Sequence, residues 1–284
     1  MPRQPVPQWR PLAEELRRLR SLSGRSTRDV AEHTGLSKAR VSRVELAQSL
    51  LSLPEIDAWV AAVSADQEAR TRLHELAKSA HTTVDHLAGG PSDAQLQEAA
   101  RARQTEAGHI TVLQASIVPG LLQTAAYARR VFELVNLGDD DADIPAAVAG
   151  RMRRQEALYD PAKRFDFLIT EAALRWPAGD APLMAAVYDR IATVSTLENV
   201  DIGLIPTQHQ PGAIPPDGFA LYDDLADGEP AYVVAELPHA QIKVNNPDDV
   251  AIYRDLLRRL MPSALRGGDA RQMLRALAQG ESRP

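Results

Sequence analysis

Apolar residues recur every three to four positions through the first part of the chain. Leu12, Leu16 and Leu19 form one stripe of a helix over 11–22, with Arg17, Arg18 and Arg20 elsewhere on its surface. The stretch STRDVAEHTGLSKARVSRVE (26–45) reads as two short helices about Gly35. Ile56, Trp59, Val60 and Val63 predict a helix over 54–63, and Ala69, Leu73, Leu76 and Ala77 predict another over 66–80. The clearest break is AGGPSD at 88–93. A connecting helix is predicted over 94–109, and beyond it the period becomes mixed. HITVLQASIVP and RFDFLIT read as strands, as do VDIGLIP, GFALYDD and AYVVAEL. Between them lie helical stripes at 119–135 (Leu121, Ala125, Ala128, Phe132, Val135), around 146–158, and through Met184, Val187, Tyr188, Ile191 and Val194. Asn246, Pro247 and two aspartates open a further helix, and a last one covers about 269–278. The pattern predicts a multi-domain chain: a small all-α domain (1–85), a linker and connecting helix (86–108), and a mixed α+β (α/β) domain (109–284).

Composition adds limits. With 284 residues, 44% hydrophobic and 25% charged, the chain can bury two cores. It has no cysteine, which excludes disulfides and thiolate chemistry and fits a reducing compartment. The N-terminus lacks the apolar segment of a signal peptide, and no apolar run reaches the ~20 residues of a membrane helix. A cytoplasmic protein with no membrane partner is expected. The formal charge of −6 is unevenly spread, with ten Lys and Arg against five Asp and Glu in residues 1–50. A basic head on an acidic body suits a nucleic-acid reader attached to something else.

Residues 26–45 fill the slots of a helix-turn-helix. Ala31 is small where two helices would cross, Gly35 tolerates positive φ, Leu36 plugs the angle, and Ser37 can cap the second helix. Val41 and Val44 face inward, turning Lys38, Ala39, Arg40, Ser42 and Arg43 outward as candidate base contacts. Arg17, Arg18, Arg25 and Arg28 are candidates for phosphate. LRRLRSLSGRSTRDVAEHTGLSKARVSRVE resembles the XRE class of Cro-type helix-turn-helix proteins. That resemblance implies five helices, with 37–46 in the major groove and Thr27 and Ser37 on phosphates. It also implies an ion pair of Arg20 with Glu45 tying the first helix to the reading helix. Where such proteins carry a glycine and a basic loop, this chain has Ala47 and the uncharged QSLLSLP, so a differently capped helix end is expected.

In the larger region, PGLLQT, RMRRQ and LITEAAL, followed by VDIGLIP, GFALYDD and VVAEL, resemble the C-terminal domain of actinobacterial XRE regulators of the WhiJ-like group. The resemblance implies a transcriptional regulator with a small protein partner encoded nearby. Read physically, Glu171 and Glu236 each follow strand-like residues, and Arg151, Arg153, Arg154 and Gln155 on one helix offer groups to pair with them. Three readings stay open: a structural ion-pair network, an effector pocket closed by Gln123 and Tyr127, and a hydrolytic carboxylate pair. No metal or cofactor is expected. DDDADI lacks the glycine and closing glutamate of a calcium loop, and the spacing of His81 and His86, or of His209 and His239, suits no zinc site.

The expectation is a homodimeric, sequence-specific DNA-binding regulator without enzymatic activity, its partner double-stranded DNA, controlled by its C-terminal domain through dimerisation and a small partner protein or ligand. The alternatives are a toxin–antitoxin-like interaction protein and a DNA-tethered enzyme using Glu171 and Glu236.

Overall fold

Five helices, α1 (Arg10–Leu22), α2 (Thr27–Thr34), α3 (Lys38–Glu45), α4 (Leu53–Ala62) and α5 (Gln67–His81), occupy the N-terminal region of the computed structural model. The structure describes residues 6–86, 92–136, 143–210, 212–237 and 240–280. Local chemistry sets where these helices begin. The Ser26 hydroxyl accepts from Asp29 N while Asp29 accepts from Ser26 N (2.8 Å), and Ser52 and Glu55 repeat that reciprocal arrangement. Ser37 Oγ accepts from Arg40 N at 3.2 Å, and Gly35 ends α2 with φ +73°. The apolar stripes then meet in one core built from Leu12, Leu16, Val30, Val41, Val44, Ile56, Trp59 and Leu73.

The loop after α3 departs from expectation. Ala47 adopts the left-handed conformation itself (φ +55°), and Gln48 N donates to Arg43 O at 2.8 Å, so the helix ends in glycine-like geometry with a methyl group present. The uncharged QSLLSLP is core: Leu50 and Leu51 are buried beside Val41 and Val44. Left-handed backbone is costly for a β-carbon and worse for a branched one. Ala47→Val is therefore expected to destabilise the protein by about 2 kcal/mol in chemical denaturation. Unchanged stability would show that the turn relaxes away from positive φ.

The chain divides into two compact units, residues 1–85 with 242–249, and residues 86–241 with 250–284. The second unit contains α6 (Asp93–Glu106), β2 (Ala107–Gln114), α7 (Ala125–Val135), α8 (Ile144–Arg154), β3 (Arg164–Thr170), α9 (Glu171–Arg175), α10 (Ala181–Val194), β4 (Val200–Ile205), β5 (Phe219–Leu225) and β6 (Tyr232–Leu237). After β7 (Ala240–Val244) come α11 (Pro247–Leu260) and α12 (Gly267–Ala278). Within the second unit the strand order is β6-β5-β2-β3-β4. β2, β3 and β4 are parallel, joined by helical crossovers through α7–α8 and α10, while β5 is antiparallel to both β2 and β6. β3 is buried on both faces from Phe165 to Thr170, and its buried Asp166 is paired with His109 at 2.8 Å. A helical head followed by a mixed sheet with helices is the fold class expected.

Two strands escaped the sequence pattern: β7, and β1 (Thr82–His86), its neighbour in the strand order. Of the segments singled out in the sequence, 88–91 in the break, 138–142 in the acidic loop, and His239 lie outside the described residues.

Candidate nucleic-acid interface and an arginine-lined cavity

Two ion pairs lock α3 in place. Arg20 meets Glu45 through two bonds, Nε to Oε1 at 2.5 Å and Nη2 to Oε2 at 2.9 Å, and its Nη1 donates to Arg25 O at 3.0 Å. The pair expected between the first helix and the reading helix is present and buried. Arg40 Nη2 lies 3.0 Å from Glu55, whose carboxylate also caps α4, so the start of α3 is tied to the start of α4. Arg40 was expected to face outward with the base-contacting residues. Instead its side chain is largely buried, because Glu55 offers a charge partner on the inner flank of the helix. Glu55 was missed in the sequence; the S-x-x-E spacing of Ser52 and Glu55 was the available signal.

The remaining reading candidates stay at the surface. Lys38, Ala39 and Ser42 are exposed, and Arg43 is half-buried. Ala39 and Arg43, one turn apart, share the face opposite Val41. Around them, Thr27 is the first residue of α2 and Ser37 caps α3, so both stand at helix ends whose amides can meet phosphate. Arg25 is half-buried, its Nη1 3.0 Å from His33 Nε2, and Arg28 is exposed and paired with Glu32 at 2.9 Å. Two expected phosphate contacts have structural partners. Arg17 donates to the Glu45 carbonyl oxygen at the C-terminus of α3, and Arg18 makes two bonds of 2.7 Å to Glu15. That pairing holds the Glu15 carboxyl below the usual carboxylate range.

In the second unit, a cavity of about 430 Å³ lies between one face of the sheet and helices α6, α7 and α8. Ile110 and Val112 of β2, Ala220 and Tyr222 of β5, and Val234 and Glu236 of β6 supply the sheet side, with Ile110 paired to Tyr222, Val112 to Ala220 and Ala220 to Val234. α8 approaches α6 closely at Gly150, where a β-carbon would stand 2.9 Å from Gln97 Cβ. That approach delivers Gln97 to two arginines. Arg154 Nη1 donates to Gln97 Oε1 at 2.6 Å and its Nε to Gln104 Oε1 at 3.2 Å; Arg151 Nη1 donates to Gln123 Oε1 at 2.8 Å. The Arg151 guanidinium carbon also stands 4.2 Å from the Phe132 ring centroid. Burial and the neighbouring Arg154 push the Arg151 pKa down to about 10, and burial lowers that of Arg154 as well.

Gln123, Arg151, Arg154 and Glu236 therefore share one cavity, as the effector-pocket reading required. Two other candidates do not join them. The Tyr127 ring is core, with its hydroxyl accepting from Val118 N at 3.3 Å, while Gln123 lies in the extended turn before α7 and lines the cavity. Glu171 caps the turn after β4, accepting from Thr207 N (2.9 Å), Thr207 Oγ1 (3.0 Å) and Arg175 Nε (2.6 Å). Burial opposes its ionisation, but these bonds outweigh burial and hold its pKa below the ordinary value. Glu171 and Glu236 are not brought together: β2 and β5 lie between β3 and β6, which puts the two strand ends roughly 14 Å apart at ~4.8 Å per strand. Sequence reasoning missed Gln97, Gln104 and Arg103, which also line the cavity. Their signal was a helix face of Gln97, Ala100 and Gln104 at helical spacing, polar yet buried.

The capped helices, the left-handed turn at Gly35 and the clamped α3 define a helix-turn-helix DNA-binding protein, and residues 11–73 match the family model described as a helix-turn-helix domain. Residues 97–276, more than half of the chain, match the model described as "Domain of unknown function (DUF5753)", and the chain belongs to that family. No curated protein matches the chain. Among solved structures, it is similar to a phospholipase D family member, Nuc from Salmonella typhimurium, at 9% identity and TM-score 0.37, over 66% of this chain and 97% of that one. It is also similar to TrmBL2, an archaeal chromatin protein described as showing a novel mode of DNA binding, at 14% identity and TM-score 0.33, over 75% and 68%. Likenesses this weak assign neither chemistry nor partner. Among the described residues, no helix is long and apolar enough to cross a membrane, and no group of three His, Cys, Asp or Glu is placed to hold a metal ion.

Proposed function

We propose that the chain is a sequence-specific transcriptional regulator that binds operators as a homodimer, with α3 in the major groove and the second unit setting when it binds. The observation that carries this reading is the division of labour on α3. Its inner flank is spent on ion pairs with Arg20 and Glu55, and its outer face carries the exposed Lys38, Ala39 and Ser42, with the half-buried Arg43 one turn from Ala39. Lys38 and Arg43 can donate to guanine O6 and N7, and Ala39 can meet a thymine methyl group. Thr27, Ser37, Arg25 and Arg28 position the head on phosphates. Dimerisation would set two heads about one helical turn, ~34 Å, apart.

On this reading the second unit acts without catalysis, through an effector at its cavity or a small protein partner. The DNA-tethered enzyme reading loses its support with the separation of Glu171 from Glu236. Arg43→Ala is expected to cost about 1–3 kcal/mol on a selected operator and much less on random duplex. Arg25→Ala should weaken both about equally and lower the salt slope by about one. Equal losses on both DNAs for Arg43→Ala would contradict base reading by α3.

A further inference from the structure

Arg151 and Arg154 have amide oxygens, and no carboxylate, as hydrogen-bond acceptors among the described residues. The orientation of Gln123 is fixed, since its Nε2 donates to Val118 O at 2.8 Å and leaves its oxygen for Arg151. A third cation lines the same cavity: Arg103, whose Nε is buried without a hydrogen-bond partner. These half-buried guanidinium groups have no carboxylate in hydrogen-bond contact among the described residues, and three in one cavity repel each other. Two carboxylates line the cavity and attract the arginines without hydrogen-bonding to them: Glu236 is exposed and accepts from Gln241 Nε2 at 3.1 Å, and Asp93 accepts from Asn136. Three cations against two carboxylates leave net positive charge. The sheet wall is apolar, with Ile110 and Val112, while Phe132 of α7 lies beside Arg151, and 430 Å³ falls within the range of small-ligand sites (about 300–1,000 Å³).

We infer that this cavity binds a small organic anion, its carboxylate or phosphate group held by Arg151 and Arg154 and its apolar body laid against Ile110, Val112 and Phe132. Arginine pairs offer parallel donors that match both oxyanions, and the neighbouring ring favours a flat or aliphatic body over a sugar. The inference deepens the effector role given to the second unit, and it names the ligand by charge and shape.

The test uses full-length protein without DNA, so its outcome is independent of operator binding, and either result can stand while the other fails. Octanoate, benzoate and phenyl phosphate are titrated by calorimetry and by thermal shift, each beside its neutral counterpart (octanamide, benzamide, phenol), with inorganic phosphate as an anion lacking a body. At least one organic anion is expected to bind saturably and about tenfold or more tightly than its neutral counterpart and than inorganic phosphate. Arg151→Met and Arg154→Met, each checked for folding by circular dichroism, should lose about tenfold or more. Arg153→Met, on the exposed side of α8, should not. Binding of none of the anions, equal binding of the neutral counterparts, or full binding by both folded cavity variants would overturn the inference.

Discussion

Glu45→Ala is expected to lower the stability of the protein by about 3 kcal/mol and to abolish operator binding, although Glu45 lies on the inner side of the reading helix. The Glu45 side chain is 7% exposed and that of Arg20 17% exposed, so alanine would leave a largely buried guanidinium without its counter-ion. Breaking a buried pair costs about 3–5 kcal/mol, far more than the ~0–1 kcal/mol of a surface pair such as Arg28–Glu32. The bond from Arg17 to the backbone carbonyl oxygen of the same residue is kept in alanine, so the loss is that of the side-chain pair alone. The removed side chain is thus the point where α1 holds the end of α3. Replacing both partners by apolar residues, Arg20→Met with Glu45→Leu, should recover much of the stability, since no charge is then stranded. The measurement is a double-mutant cycle in denaturant, with DNA binding read in parallel. A cost below about 0.5 kcal/mol for Glu45→Ala would place this pair with the surface ones.

Arg154→Met is expected to act in the opposite direction, raising the melting temperature of the unliganded protein by roughly 2–4 °C, or about 1 kcal/mol. Burial disfavours the charged form of Arg154, and its hydrogen bonds go only to Gln97 and Gln104. Methionine has similar length, removes the buried charge and relieves the repulsion on Arg151. Gln97 keeps a contact to Arg151 Nε at 3.4 Å, and the cavity has room for water at Gln104, so the loss of hydrogen bonds is the smaller term. Residues held for binding commonly reduce stability in this way. If Arg154 instead bridges helices as part of a structural network, the same substitution should lower the melting temperature.

These two sites differ in how far they could be read from the sequence. The helix-turn-helix was legible because its determinants are local: Ala31, Gly35, Leu36 and Ser37 act within a few residues of one another. Arg20 with Glu45 was reached through a family resemblance, which supplied a contact across 25 positions that spacing alone does not give. Arg40 misled because a helical wheel assigns faces without naming neighbours, and Glu55 arrives on the next helix. The Ala47 turn misled in a different way. Residue identity argued against a left-handed cap, but the burial of Leu50 and Leu51 on the far side of the turn holds the backbone there.

In the second unit most strands and helices were visible as short apolar-rich or alternating runs between turn residues, although RFDFLIT alternates like a half-buried strand and is in fact buried on both faces. β7 was hidden by its mixed AQIKV composition beside a proline and an asparagine pair. The cavity was half legible. RMRRQ gave the cations, but Gln97 and Gln104 reach them only where Gly150 lets α6 and α8 close together. Glu171 was grouped with Glu236 because both follow strands, and strand order, which separates them by two strands, is a tertiary property.

Central to this account is an α3 that reads DNA sequence, and the most direct measurement is selection of sites from a randomised duplex pool by the full-length protein at physiological salt. The account predicts enrichment of one motif, built of two related half-sites with centres about one helical turn (~34 Å) apart, and loss of that enrichment with Arg43→Ala. A recovered pool indistinguishable in sequence from the input would contradict it.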